Sequence, residues 1–189
     1  MPSAPELTKH HVRRLNKCLV GTRNEHRDRC FMMMLLYSGC RIAEPLQLNM
    51  DDVLTPDGDV REYATLKKTK NGEQRRIYFA SDLHPYIHAY LEDMKHNWGG
   101  FFFGSSQSKG GAMHIMNAHR LVRTALNTAG LTEHKSHSFR RSTAIHLRRM
   151  GIDFEVIRTI LGHKDLRQTQ TYFAGSTIEA SEALTKLKF

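Results

Sequence analysis

Residues 137–172 decide which fold this chain can adopt, and they read HSFRRSTAIHLRRMGIDFEVIRTILGHKDLRQTQTY. Apolar residues recur there at helical spacing, and the glycines at 151 and 162 divide the stretch into helices near 138–150, 153–161 and 166–172. Asp153 is a suitable N-cap for the middle helix, with Glu155 in its first turn. This part of the chain is therefore predicted to be helical.

The remaining sequence predicts further helices at 8–19, 25–38, 81–96 and 113–129, and a short one from about residue 42 with Pro45 in its first turn. Two β-prone runs, 63–66 and 76–79, flank Asn71-Gly72 and predict a hairpin, and a short strand is expected at 101–103. The 189 residues thus predict a single α+β domain, mainly helical with a small antiparallel β-sheet, and residues 176–189 are expected to form a helical tail.

The helix at 138–150 carries one arginine toward the interior. A helical wheel places four residues on the core-facing arc, namely Phe139, Thr143, Leu147 and Met150. Arg140 lies at the edge of that arc, whereas Arg141 and Arg148 lie on the solvent side. Because an unpaired buried charge is expensive, Arg140 needs an anion, either an internal carboxylate or a phosphate held by both of its terminal nitrogens.

Arg41 raises the same question at a second place in the chain. It comes after Gly39, a predicted helix stop, and before a segment in which Ile42, Leu46 and Leu48 are expected to be buried. Glu44, three residues on, could pair with Arg41 in a purely structural ion pair, or could orient a basic group for function.

The formal charge of the chain is +9. Each Lys or Arg near a phosphate releases condensed counterions, so a surplus of this size favours a nucleic-acid partner over a basic protein with no partner. Six basic residues are candidates for contact with a nucleic-acid backbone: Arg120, Arg123, Arg148, Arg149, Lys164 and Arg167.

The composition argues against several other classes of protein. The three cysteines lack CxxC spacing, and Cys30 and Cys40, which flank an apolar helix, are predicted to be small buried groups in a reducing compartment. Among the twelve histidines, His84 and His88 have only a bare i,i+4 spacing without an acidic or thiol partner, so no metal site is expected. The polar start of the chain carries no cleavable signal, and the longest apolar run, 31–37, is too short to span a membrane. A cytoplasmic protein is therefore predicted.

Five motifs, in order along about residues 8–180, resemble those of the tyrosine recombinases, also called the phage integrase family. They are SGCRIAE at 38–44, the Lys70-Asn71-Gly72 turn, HSFR at 137–140, LGH at 161–163, and Tyr172 nine residues after His163. The resemblance implies the catalytic core of a DNA breaking-rejoining enzyme. Three departures remove no catalytic group: Phe139 where the family usually has Leu, Pro45 where it often has Leu, and Arg141 where it often has His.

The resemblance also implies a role for each site residue. Tyr172 would attack the scissile phosphate to form a 3′-phosphotyrosyl link, and Arg41 and Arg140 would hold that phosphate. His137 would be the base that assists the phenol, and Lys70 would be the acid that protonates the leaving 5′-oxygen. His163 would donate a hydrogen bond to a phosphate oxygen. Glu44 would support the cationic groups. Such a reaction requires neither a metal nor another cofactor.

At the level of the whole protein, the resemblance implies a site-specific recombinase that integrates, excises or inverts segments of double-stranded DNA, self-associating as a tetrameric synapse. Its setting would be the DNA-containing cytoplasm of a prokaryote, or a virus. The N-terminal core-binding domain of most family members is expected to be absent from these 189 residues. Two alternatives stay open: a type IB-like topoisomerase, and a non-catalytic basic DNA-binding module.

Overall fold

The longest apolar run of the chain lies in a helix at the centre of the molecule. The computed structural model describes residues 4–66, 74–94, 100–105 and 111–173. Helix α1 spans Lys9–Cys18 and helix α2 spans Glu25–Ser38. Residues 30–35 of α2 are all buried, so this helix faces protein on every side along that length. Gly39 ends α2 in the left-handed conformation, as its position in the sequence predicts.

A two-stranded antiparallel sheet follows two short helical turns. A 3₁₀ turn spans Pro45–Gln47 and helix α3 spans Met50–Val53. Strand β1, Tyr63–Leu66, pairs with strand β2, Arg75–Tyr78. The small sheet is thus confirmed, while the Asn71-Gly72 turn lies outside the described residues. The helix expected from residue 42 begins only at Pro45, which lacks an N–H and suits a first position; α3 was not predicted.

The prediction of a strand at residues 101–103 is wrong. After a 3₁₀ turn at Ser81–Leu83 and helix α4 at His84–Asp93, residues 100–105 hold only isolated bridges, Asn49 with Phe101 and Gly104 with Ala112. Phe102 and Phe103 are both fully buried, whereas successive residues of a strand point to opposite faces. Their rings pack edge-to-face at 4.8 Å between centroids, so this segment serves the core rather than a sheet.

The last helices are α5 at Ile115–Thr128, α6 at Ser136–Arg149, α7 at Phe154–Leu161 and α8 at Leu166–Gln170. On α6, Phe139 and Thr143 are buried as predicted, and Leu147 packs against a small core of Ala144, Ile157 and Leu161. Met150 is 75% exposed, contrary to prediction, because α6 ends at Arg149 and the wheel does not extend to the C-cap.

Helix length also bears on membranes. The longest helices in the described ranges, α2, α5 and α6, have 14 residues each, and none of the helices described is long and apolar enough to cross a bilayer.

Candidate active site

The C-terminal end of α7 is surrounded by arginines from three distant parts of the chain. Arg75 donates from Nη2 to the carbonyl oxygen of Ile160 at 3.2 Å, and Arg140 donates from Nη2 to that of Leu161 at 2.7 Å. Arg41 reaches the carbonyl oxygen of Gly162 at 3.5 Å. The last carbonyls of a helix lack intrahelical partners and carry its negative dipole end, so they attract cations. This one turn therefore brings Arg41 and Arg140 together.

Arg140 is buried, as the wheel predicts, with only 3% of its surface exposed. Its Nη1 donates to the carbonyl oxygen of Gly39 at 2.7 Å, so the guanidinium joins the ends of α2 and α7. In the part of the chain that the structure describes, Arg140 forms no ion pair with a carboxylate. Burial, followed by repulsion from Arg75, lowers the pKa of Arg140 to about 10. An anion arriving here would meet a positive charge that no carboxylate has neutralised.

Glu44 is a buried carboxylate shared by two arginines. Its Oε2 accepts from the backbone N–H of Arg41 at 2.6 Å, and its Oε1 accepts from Nη1 of Arg41 at 3.0 Å. Both of its oxygens also accept from Nη1 of Arg75. The side chain of Arg41 is 47% exposed and that of Arg75 only 6% exposed. Glu44 therefore contacts the basic group that the sequence analysis assigned to it, together with a second one.

Arg75 is the site residue that the sequence analysis missed. Strand β2 begins at Arg75, one residue earlier than predicted, and its residues alternate between buried and exposed. Arg75 lies two positions from Ile77, which is fully buried, so both side chains point to the same face. That period-2 relation to an apolar residue was the available signal.

His163 and Tyr172 lie side by side beyond the end of α7. The His163 ring is buried, its Nδ1 lies 2.8 Å from Oγ1 of Thr169, and its centroid is 5.7 Å from that of the Tyr172 ring. Desolvation, followed by repulsion from Arg140 and Arg41, lowers the pKa of His163 to about 3. The imidazole is therefore neutral near pH 7. The tautomer that accepts from Thr169 at Nδ1 keeps a proton on Nε2, which can be donated to an anion.

Stability should fall in acid because of His163. Its pKa is lower in the folded protein, about 3, than the ordinary value of 6.5, so the unfolded chain binds the proton first as the pH falls. The stabilisation present above pH 6.5 is lost toward about pH 3, at on the order of 1.4 kcal/mol per pH unit. We expect His163→Gln, which cannot titrate, to flatten the dependence of urea-unfolding free energy on pH between 6.5 and about 4. If the pH dependence of the unfolding free energy were the same in His163→Gln as in the unmodified chain, the lowered pKa of His163 would be contradicted.

His137 is exposed near the start of α6, one turn before Arg140. His137 and Arg140 are three residues apart on α6 and so lie on the same side of that helix. Desolvation and then repulsion from Arg140 and Arg41 lower the pKa of His137. The structure thus brings together five of the predicted catalytic residues: Arg41, His137, Arg140, His163 and Tyr172. Lys70 lies outside the described residues, and the catalytic role of each residue stays a prediction.

A basic groove opens beside these residues. It is lined by Arg41, Arg75, Arg76, Arg158 and Lys164, and Glu44 is the one acid among its described lining residues. Of the six basic residues predicted to contact a DNA backbone, Lys164 lines this groove, and Arg167 and Arg123 are exposed elsewhere. The other three lie apart from it: Arg120 in a second cavity, Arg148 over the Phe154 ring, and Arg149 paired with Glu6.

Arg141 is not simply on the solvent side, as predicted, but half-buried. Its Nη1 donates to the carbonyl oxygen of Ala4 at 2.5 Å and its Nη2 to that of Tyr172 at 3.3 Å. The extended segment before α1 lies across α6 and covers this arginine, and Leu7 N donates to Oγ of Ser142 there at 2.7 Å. Arg141 therefore links the backbone of Tyr172 to that of Ala4.

Gly162 should tolerate substitution poorly. Its φ is +63°, and a Cβ added there would lie 2.4 Å from Nε of Arg75. Gly151 has a φ of +82° with nothing within 4 Å of such a Cβ, so it reports the backbone cost alone. We expect Gly151→Ala to cost roughly 1–2 kcal/mol of unfolding free energy, and Gly162→Ala roughly 3 kcal/mol or more because it also displaces a buried ion pair. Urea unfolding of both variants measures this, and equal costs would show that the Arg75 contact is unimportant.

Within the described ranges, no group of three His, Cys, Asp or Glu residues could hold a metal ion. The three cysteines are free thiols, and Cys30 and Cys40 are buried, as expected for small apolar groups.

Comparison with known proteins identifies the family. The phage integrase family model matches residues 5–177, which is most of the chain. This chain belongs to the phage integrase family. The tyrosine recombinase XerA of Pyrococcus horikoshii is 27% identical over 172 residues, covering 91% of this chain and 59% of the relative. The chain therefore spans about three fifths of the length of that phage integrase relative.

Solved structures share the fold. A crystal structure of XerA recombinase superposes with a TM-score of 0.78 at 20% identity, covering 100% of this chain and 66% of that one. XerH site-specific recombinase, in a post-cleavage complex with a palindromic difH substrate, superposes with a TM-score of 0.74 at 19% identity, covering 98% of this chain and 54% of that one. The mainly helical fold with a small antiparallel sheet is thus the phage integrase catalytic fold, as predicted.

Proposed function

We propose that this chain is the catalytic part of a tyrosine-type site-specific recombinase, which cuts and rejoins DNA strands through a 3′-phosphotyrosyl intermediate. One observation carries the proposal. Arg41 and Arg140, which lie 99 positions apart, meet at the last carbonyls of α7, and the rings of His163 and Tyr172 lie beside each other there at 5.7 Å between centroids. Membership of the phage integrase family supports the same conclusion.

The proposed reaction has two steps, cleavage of a DNA strand and rejoining, and the second is the chemical reverse of the first. The Tyr172 oxygen bonds to phosphorus while the bond from phosphorus to the 5′-oxygen breaks. His137 accepts the phenol proton, and Lys70 supplies a proton to the leaving 5′-oxygen. Arg41, Arg140 and the neutral Nε2–H of His163 stabilise the charge on the non-bridging oxygens. A 5′-hydroxyl of a partner strand then attacks the phosphotyrosine and completes rejoining.

The proposed substrate is double-stranded DNA, bound along the basic groove. Support comes from the net charge of +9, from the exposed cations Arg41, Arg76 and Lys164 that line the groove, and from the DNA-bound state of the similar XerH structure. Exchange between two duplexes requires four active sites, so we propose assembly into a tetrameric synapse on DNA, in the cytoplasm of a prokaryote or in a viral element. No observation favours the topoisomerase or the non-catalytic reading.

Trapping of the covalent protein–DNA adduct tests the proposal, and the same experiment identifies the target sequence. The chain is incubated with a library of duplexes that each carry one nick and are randomised on both sides of it. Cleavage close to the nick releases a short 5′-hydroxyl fragment that diffuses away, so rejoining fails. Adducts that survive denaturation are digested for peptide mapping, and the attached DNA is sequenced. We expect one attached residue, Tyr172, and an enriched sequence. Attachment at another residue, or no adduct at all, would overturn the proposal.

A further inference from the structure

Arg75 makes three kinds of contact from a single buried guanidinium. Its Nη1 pairs with both oxygens of Glu44, and its Nη2 donates to the carbonyl oxygen of Ile160. Its Nε and Cδ pass so close to Gly162 that a Cβ there would lie 2.4 and 2.5 Å from them. Strand β2, the Glu44 turn and the end of α7 are therefore joined at this one side chain.

The burial of this ion pair needs an explanation other than stability. Removing two charges from water costs about as much as their attraction returns, and apolar residues of similar volume often stabilise a protein as well or better. The Arg75–Glu44 pair is nevertheless buried on both sides, with side-chain exposures of 6% and 7%. Through Glu44 this pair contacts Arg41, whose side chain is 47% exposed and lines the groove.

The sharing of Glu44 sets the position of Arg41. Oε1 of Glu44 accepts from Nη1 of both arginines, so Arg75 competes with Arg41 for the same carboxylate. With Arg75 removed, Arg41 would be the remaining cation paired with a buried carboxylate, and the repulsion that Arg75 exerts on Arg41 would be lost. Arg41 would then be held against Glu44 and be less available to an anion in the groove.

We propose that Arg75 is a positioning residue for the phosphate site. By occupying Glu44 it keeps Arg41 directed into the groove, and by holding Ile160 and covering Gly162 it fixes the turn that delivers His163. This inference rests on the proposed recombinase function. It assigns Arg75 no contact with DNA phosphorus and no proton transfer.

The test is a double-mutant cycle in the rate of covalent adduct formation. The variants Arg75→Met, Arg75→Lys, Glu44→Gln and Glu44→Gln/Arg75→Met are compared on the duplex recovered by the trapping experiment, under single-turnover conditions below each variant's melting temperature. We expect Arg75→Met to lower the rate at saturating DNA about 100-fold, the usual effect of a small misplacement of a catalytic group. The DNA concentration that gives half the maximal rate should change little. Arg75→Lys, which keeps the charge but loses the planar fork, should be intermediate.

The decisive outcome is a partial rescue. Neutralising Glu44 releases Arg41, so Glu44→Gln/Arg75→Met should react about tenfold faster than Arg75→Met alone, as coupled neighbours show non-additive effects. A purely structural role for Arg75 predicts recovery only in the free energy of unfolding, because Glu44→Gln removes the uncompensated buried carboxylate that Arg75→Met leaves behind. It predicts no recovery of the rate at a temperature where every variant is folded.

Arg29→Met serves as the matched control. Arg29 also pairs with a glutamate, Glu25 at 2.7 Å, but lies outside the groove lining, so its loss should leave the rate at saturating DNA unchanged. If the unmodified chain forms adducts and Arg75→Met forms them equally fast, or if the double variant shows no recovery, the role of Arg75 is refuted while the recombinase proposal stands. If the unmodified chain forms no Tyr172 adduct, both fail.

Discussion

Tyr172→Phe should abolish the covalent protein–DNA adduct while leaving DNA binding intact. The substitution removes one oxygen from a ring that packs beside His163 and against the small core of Ala144, Ile157 and Leu161. The apolar packing is kept, so the fold should be undisturbed. Deleting the nucleophile of a covalent enzyme costs on the order of 10⁶-fold in rate. Denaturing gels measure the adduct, and mobility shifts on the same duplex measure binding.

Tyr78→Phe is the matched control for this experiment. Tyr78 is a second phenol close to the site, at the edge of the groove and paired across the sheet with Tyr63. We expect Tyr78→Phe to form the adduct at Tyr172 as the unmodified chain does, since its hydroxyl is assigned no role in the chemistry. If Tyr172→Phe formed the adduct at an undiminished rate, Tyr172 would be excluded as the nucleophile.

Arg140→Lys should lose most activity even though it keeps the positive charge. The guanidinium of Arg140 reaches two carbonyl oxygens, those of Gly39 and Leu161, each at 2.7 Å. A lysine ammonium is a point donor without a planar fork, so it cannot hold both carbonyls and also present a fixed N–H to an anion. Loss of one such preorganised donor costs on the order of 10²–10³-fold in rate. Single-turnover adduct formation measures the loss.

The same variant should also be less stable. A buried carbonyl left without a partner costs roughly 1–3 kcal/mol, which urea unfolding will register. The rate must therefore be measured where the variant remains folded, as judged by circular dichroism. Arg29→Lys, at an arginine paired with Glu25 outside the groove lining, controls for the exchange of residue type. A rate for Arg140→Lys equal to that of the unmodified chain would remove Arg140 from the phosphate site.

Local patterns predicted those features whose causes lie within a few residues of one another. The helix predicted at 25–38 is found with those bounds. The wheel correctly placed Arg140 inside, because helix periodicity alone decides which face is buried. The wheel failed for Met150, since it assumed one more helical residue than α6 contains. Residues 101–103 failed because three aromatic residues suit a core segment as well as a strand.

The assembly of the site depended on contacts between distant residues. Arg75 lies 85 positions from its partner Ile160, and Arg41 lies 121 positions from Gly162, so no local rule connects them. The shared motifs indicated that Arg41, Arg140 and His163 belong together, but not that the carbonyls of α7 hold the arginines. Arg75 was overlooked because the predicted strand began one residue late, which put its inward-facing position outside the alternation.

The crowding of guanidiniums around the end of α7 has an evolutionary consequence. Positions 41, 75 and 140 each depend on a carbonyl of the same turn, and position 162 must lack a side chain to admit Arg75. A change at one of the four alters what the other three can contact. We expect descendants of this sequence to inherit these four residues as a set, and a lineage that loses one should soon lose its neighbours too.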